Sequence, residues 1–185
     1  AKGYGVAEAG GNQAVTAETV FEAASVSKPV SVTGIMLLAQ SGAIDITRNV
    51  NDYLTSWRLV ANDPAIKGTA TIQQLMSHTG GVNISGYAGY TVGSTLPTML
   101  QILNGAPPAD TDPVRIISEP GSCYRYSGGG MEVLQQMTED VTRMAFRVYM
   151  KNNIFIPLGM DSSDFAQPLD GTLVSRAAKG HDVVG

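Results

Sequence analysis

Phe21-Glu22-Ala23-Ala24-Ser25-Val26-Ser27-Lys28, followed by the apolar run from Pro29 to Ala39, decides how the rest of the chain is read. Ser25 and Lys28 form the only Ser-x-x-Lys pattern in the sequence. Three positions apart on a helix, two side chains share one face, with Cβ atoms about 5–6 Å apart. An amine so placed can take a proton from a hydroxyl. Serine is a weak nucleophile and needs such a neighbour. A lysine removed from water loses preference for its charged form, which makes it usable as a base. Pro29 fits only in a first helical turn, so the helix is predicted to start close to Ser25 and to run over Ser27–Ser41 until Gly42. Its residues are apolar almost all round, which predicts a buried helix. A four-residue pattern also arises by chance, so the site needs further support.

Composition narrows the alternatives. Of 185 residues, 43% are hydrophobic and 15% charged, a globular rather than a disordered balance. The net charge is −4 and no segment concentrates Lys and Arg, which argues against a nucleic-acid or anionic-membrane partner. Cys123 is the single cysteine, so an internal disulfide and a cysteine-based zinc site are excluded. His78 and His181 are the only histidines and belong to no His-Glu-x-x-His pattern, so neither a metal nor another cofactor is expected. No apolar run has the length of a membrane span, so no integral membrane segment is expected. No leader is visible, and both ends read as abrupt. The chain is expected to be part of a longer protein, in the cytoplasm or in the periplasm or secreted space, with its oligomeric state open.

Along the chain, Tyr4–Glu8 and Thr19–Ala23 read as two short strands joined as a hairpin around Gly10-Gly11-Asn12. Thr71–Ser77 reads as a short helix with a threonine cap, stopped by His78-Thr79-Gly80-Gly81. Residues 82–94 read as a loop, and Leu96–Leu103 as another short helix. Glu119-Pro120-Gly121 is a turn, and Gly128-Gly129-Gly130 leads into a long helix over Met131–Val141. A further helix is predicted from Phe146 to Ile154. Met36, Met76, Met99, Met131 and Met137 read as core filler, Cys123 as a buried, inert thiol, and Trp57 and Arg58 as rim residues.

Four blocks occur in order: Phe21 to Lys28, Leu75-Met76-Ser77-His78-Thr79-Gly80-Gly81, Glu119-Pro120-Gly121-Ser122-Cys123-Tyr124-Arg125-Tyr126-Ser127-Gly128, and Phe155-Ile156-Pro157-Leu158-Gly159-Met160. Together they resemble the serine β-lactamase-like superfamily, in its class C β-lactamase, esterase and D-alanyl-D-alanine peptidase branch. The resemblance implies an α+β fold, an antiparallel sheet flanked by helices with a helical subdomain, and a sheet incomplete in this chain. It divides the chain into front strands and nucleophile helix (1–45), a mostly helical subdomain (46–165) and a return toward the sheet (166–185). It implies Ser25 as acylated nucleophile, Lys28 as base, and Tyr126 as the phenol that helps move the proton. A phenol titrates near pH ~10 and works as phenolate at neutral pH only where positive charge favours ionisation. Ser127 and Gly128 fall at the substrate-binding positions, with Gly128 where the pattern often carries asparagine. That departure favours a carboxylesterase over β-lactam or D-amino-acid peptide hydrolysis, with a catalytically degenerate binding or scaffold protein as the alternative. The family's third motif, Lys-Thr-Gly or His-x-Gly, follows the second, so His78-Thr79-Gly80 is read as a helix terminus and His181 as a loop residue. The strand bearing that third motif, with the second oxyanion donor, is expected beyond residue 185.

Overall fold

The computed structural model of the chain describes residues 1–91 and 93–180. His181 lies outside the described residues. The chain forms two compact units, one of Ala1–Val30 with the described part of Arg147–Gly185, the other Ser31–Phe146.

In the first unit the predicted hairpin forms with different partners. Val6 bridges antiparallel to Ala14, with Ala7 N–H on Gln13 O at 2.8 Å and Val15 N–H on Gly5 O at 3.0 Å. The turn closes from Gly11 N–H to Glu8 O, with Gly10 at φ 71°. So early a reversal uses up the pairing of Tyr4–Glu8 before Thr19 is reached. Val20 instead bridges parallel to Ala177, through Arg176 O and the Ala178 N–H. Among the described residues these pairings are isolated bridges rather than extended strands.

Helix α1, Ser27–Gln40, follows a 3-10 turn at Ala24–Val26. Gly42, at φ 77°, ends it as predicted, with Ala43 N–H returning to Leu38 O. Its burial corrects the expectation. Only Ser31, Gly34, Ile35 and Leu38 are buried, a single stripe at helical spacing, and Met36 is 44% exposed. Apolar composition said nothing about which neighbours cover the other face.

The second unit is built around α4, Gly128–Thr142, which packs against α2 (Ile72–Met76) and α3 (Met99–Asn104). The two short helices are fixed by reciprocal caps. Thr71 accepts from Gln74 N–H while Gln74 accepts from Thr71 N–H, and Thr98 and Gln101 repeat the device. The second cap places the start of α3 at Met99 rather than Leu96. Leu75, Leu103, Val133, Leu134 and Met137 fill the space between, each fully or almost fully buried and contributing about 1.5–3 kcal/mol. Ile116 bridges parallel to Ala61 and antiparallel to Val82, tying residues 60–62, 81–83 and 115–117 together. The Asp140 carboxylate, on α4, accepts from Thr55 N–H (2.7 Å), Ser56 N–H and Ser56 Oγ (both 3.0 Å), and Gln136 Nε2 (3.2 Å). Trp57 is buried rather than at the rim, and its indole N–H donates to Asn104.

Helix α5, Phe146–Met150, continues into a wider π turn at Lys151–Phe155, and α6 covers Gly171–Val174. Arg147 clamps Asp164 through two hydrogen bonds and reaches Asp170 with a third. No helix of the described residues is long and apolar enough to cross a membrane.

Candidate active site

In the first unit the backbone turns sharply at Ala24, whose φ of 43° lies in the left-handed region that L-residues avoid. The next residue, Ser25, is exposed in the 3-10 turn. Lys28 follows in the first turn of α1, half-buried, where Pro29 removes an N–H that has no helical partner anyway. Lys28 Nζ donates to Ser25 Oγ at 3.0 Å. A nucleophile and its base work from about 2.6–3.2 Å. The same separation serves an amine that accepts the serine proton.

In the second unit Tyr126, Ser127 and Gly128 lead into α4. Ser127 is the cap: its Oγ accepts from Gly130 N–H at 2.9 Å and donates to Asn83 O at 2.7 Å. Gly128 N–H reaches Ser85 O (3.2 Å) and Gly129 N–H reaches Ile84 O (3.0 Å). Backbone carbonyls thus take N–H groups of the first turn that have no helical acceptor. The three glycines, predicted to precede the helix, are its first turn, and the loop packs tightly against the first two. A Cβ on Gly129 would lie 3.0 Å from Asn83 O, and one on Gly128 3.3 Å from Ser85 O and Tyr87 Cε2. Asn83 anchors the loop, accepting from Arg115 N–H and donating to Pro113 O.

The Tyr87 ring lies over this turn. Its hydroxyl is buried without a hydrogen-bond partner. Burial first, then the nearby charge of Glu132, hold that phenol neutral far above the ordinary phenol range. Tyr126 is 37% exposed, and its ring packs 4.5 Å from the ring of His78. His78 Nδ1 accepts from Ser127 N–H at 3.3 Å, and His78 O accepts from Arg125 N–H at 2.7 Å. Cys123, expected to be buried, is exposed, since Ser122 and Cys123 lie on the turn that Glu119 O closes. Among the described residues no cluster of three His, Cys, Asp or Glu is placed to hold a metal ion.

The structure therefore brings Ser25 to Lys28 in one unit, and Tyr126, Ser127 and Gly128 to one helix terminus in the other. A family profile described as Beta-lactamase matches residues 1–182. The chain belongs to the beta-lactamase family. This is a family of serine hydrolases, and its members bear out the fold. The chain is 26% identical over 159 residues to penicillin-binding protein 4 of Amycolatopsis lactamdurans, covering 86% of this chain and 39% of that protein. D-amino acid amidase from Ochrobactrum anthropi SV3, complexed with L-phenylalanine amide, superposes with a TM-score of 0.76 at 20% identity, over 95% of this chain and 47% of that one. EstCE1, described as a hydrolase with promiscuous acyltransferase activity, superposes at 0.73 with 25% identity, over 94% and 46%. The chain thus spans well under two thirds of the length of these beta-lactamase relatives.

Two parts of the arrangement were not read from the sequence. Ser-His-Thr-Gly-Gly marks His78 as a helix terminus, but not that its ring meets the Ser127 N–H and the Tyr126 ring. Tyr87 carried no usable signal, because a Tyr-Ala-Gly triplet in a glycine-rich loop does not say what the ring covers.

Proposed function

We propose that the protein is a serine hydrolase working through an acyl-enzyme on Ser25. The 3.0 Å contact between Lys28 Nζ and Ser25 Oγ carries this reading. Ser25 Oγ attacks the substrate carbonyl carbon as Lys28 takes its proton. The Ser25 backbone N–H donates to the oxyanion. The Tyr126 phenol relays the proton to the leaving group, whose bond to the carbonyl carbon breaks to leave the ester on Ser25. Water then attacks that ester, giving up a proton along the same path, and Ser25 is released. Substrates are carboxylic esters, β-lactams or D-amino-acid peptides. Esters are favoured, because Gly128 offers no side-chain amide for a peptide-like substrate and the loop at Ser85–Tyr87 closes on its Cα.

The test is adduct mapping. The full-length protein, incubated with a fluorophosphonate or penicillin probe and digested, is expected to carry the mass increment on the peptide containing Ser25. An unmodified Ser25 under conditions that label a known serine hydrolase refutes the proposal. The rival reading, a degenerate binding or scaffold protein, also draws on Gly128. Ser25→Ala separates the two: it abolishes p-nitrophenyl ester turnover in an enzyme, whereas a scaffold shows no turnover to lose.

A further inference from the structure

We infer that His78 is a positioning residue for Tyr126, gripping its backbone through a neutral imidazole while packing against its ring. The inference rests on the reading of Tyr126 as a proton-transfer group. Helix α2 ends by a paired return of N–H groups, His78 to Leu75 O at 3.2 Å and Thr79 to Gln74 O at 2.8 Å. That motif places the intervening residue in the left-handed region, a position usually given to glycine. Here it is His78, at φ 58°. Glycine would make the same backbone turn without the Cβ strain, so the cap does not explain the imidazole.

The ring has work of its own. Nδ1 accepts the Ser127 N–H, which belongs to the peptide group joining Tyr126 to Ser127. The carbonyl of the same histidine accepts the Arg125 N–H, from the peptide group joining Tyr124 to Arg125, one plane before Tyr126. One residue therefore holds the chain on both sides of Tyr126, through the Arg125 N–H before it and the Ser127 N–H after it. The two rings lie 4.5 Å apart at 44°, and Tyr124 meets the imidazole edge-on at 6.0 Å. Accepting on Nδ1 requires that nitrogen to be unprotonated, so the ring proton sits on Nε2. Ser127 is in turn the cap of α4, which ties the Tyr126 backbone to a rigid element.

Three variants of the full-length protein separate positioning from capping. His78→Gly keeps the left-handed turn and removes the ring. His78→Asn tolerates the same backbone and puts an amide oxygen where Nδ1 was. Tyr126→Phe serves as the reference for losing the phenol. His78→Gly is expected to lower kcat on a p-nitrophenyl ester on the order of ten- to a hundredfold, the scale of a misplaced catalytic group, with KM nearly unchanged and the melting temperature preserved. His78→Asn should recover most of the loss, and His78→Gly should cost little more in the Tyr126→Phe background. Wild-type kcat in His78→Gly, or an equal loss with Tyr126 already removed, overturns the inference. A second readout needs no turnover. Nitrogen-15 spectra of the wild type should show His78 protonated on Nε2, and the Ser127 amide and Tyr126 ring signals should move in His78→Gly. A proton on Nδ1, or unmoved signals, overturns it as well. Failure of Ser25 to take a probe is a separate result and falls on the proposed function alone.

Discussion

Replacing Lys28 tests the chemistry at its centre. Its Nζ lies 3.0 Å from Ser25 Oγ, on the first turn of α1. Ala is as good a helix former as Lys to within a few tenths of a kcal/mol, so Lys28→Ala should leave the fold intact. The loss falls on acylation. A positioned general base contributes about 10²–10⁴ in rate, and at 1.36 kcal/mol per tenfold this adds roughly 2.7–5.4 kcal/mol to the barrier. Lys28→Arg sharpens the test. Guanidinium keeps the positive charge and can still donate to Ser25 Oγ, but it does not give up a proton in proteins. If Lys28 acts as a base, Arg fails nearly as badly as Ala. The assay is the rate of Ser25 labelling by a fluorophosphonate, followed by intact mass alongside p-nitrophenyl ester turnover and a melting curve. A Lys28→Arg protein that labels within about threefold of wild type refutes the base role, because charge and hydrogen bonding alone would then suffice.

Asp140 offers a stability prediction. Burial alone would raise its pKa, but donors from Ser56, Thr55 and Gln136 overcome this and hold it below 3.8. Its stabilising contribution is therefore complete above the unfolded value and is lost as pH falls through the lower folded value. Asp140→Ala, which leaves these buried donors unpaired, should destabilise by about 3 kcal/mol at neutral pH, read by urea titration, with the gap from wild type closing in acid. Gly128→Asn, which writes in the residue common in the family motif, should lower the melting temperature rather than improve function, since its Cβ meets Ser85 O and Tyr87 Cε2 at 3.3 Å. Adding Tyr87→Ala should recover part of that loss, and a double-mutant cycle with additive effects would show that the ring is not what excludes the side chain.

How far the sequence went depended on whether the deciding interaction was local. Thr71 with Gln74 closes its cap within one turn, and Pro29 limits the start of α1 by its own ring, so both were legible. The cap at Thr98 is equally local, and it starts α3 at Met99, three residues after the apolar Leu96 with which the predicted helix begins. The Ser-x-x-Lys pair is local too, and its side chains meet as helical spacing implies. What failed was long-range. Val20 pairs with Ala177, a partner that no pattern near Val20 announces. Met36 looked like core because its helix is apolar, but burial depends on what packs against each face. Gly128–Gly130 looked like a linker because glycine is a poor helix former. Their place in α4 follows from the approach of residues 83–85, which is written in Asn83 and its partners rather than in the glycines.

Backbone outliers fall beside the candidate catalytic residues. Among the described residues, the non-glycine residues with positive φ are Ala24, His78, Ile84 and Arg143. Arg143 ends a helix, where a left-handed residue is ordinary. The other three have a common setting. Ala24 immediately precedes Ser25, His78 takes the N–H groups of Arg125 and Ser127 on either side of Tyr126, and Ile84 offers its carbonyl to Gly129 in the helix turn that follows Tyr126. Left-handed conformations in residues with a Cβ each cost on the order of 1–2 kcal/mol and persist only where surrounding contacts enforce them. Local propensity offers no reason for them at these places. A fold under selection for stability alone would put glycine there, as this chain does at Gly42, Gly81 and Gly105. The cost falls instead beside the residues proposed to carry the reaction, which is where rigid placement of a hydroxyl and a phenol returns a benefit that stability does not measure.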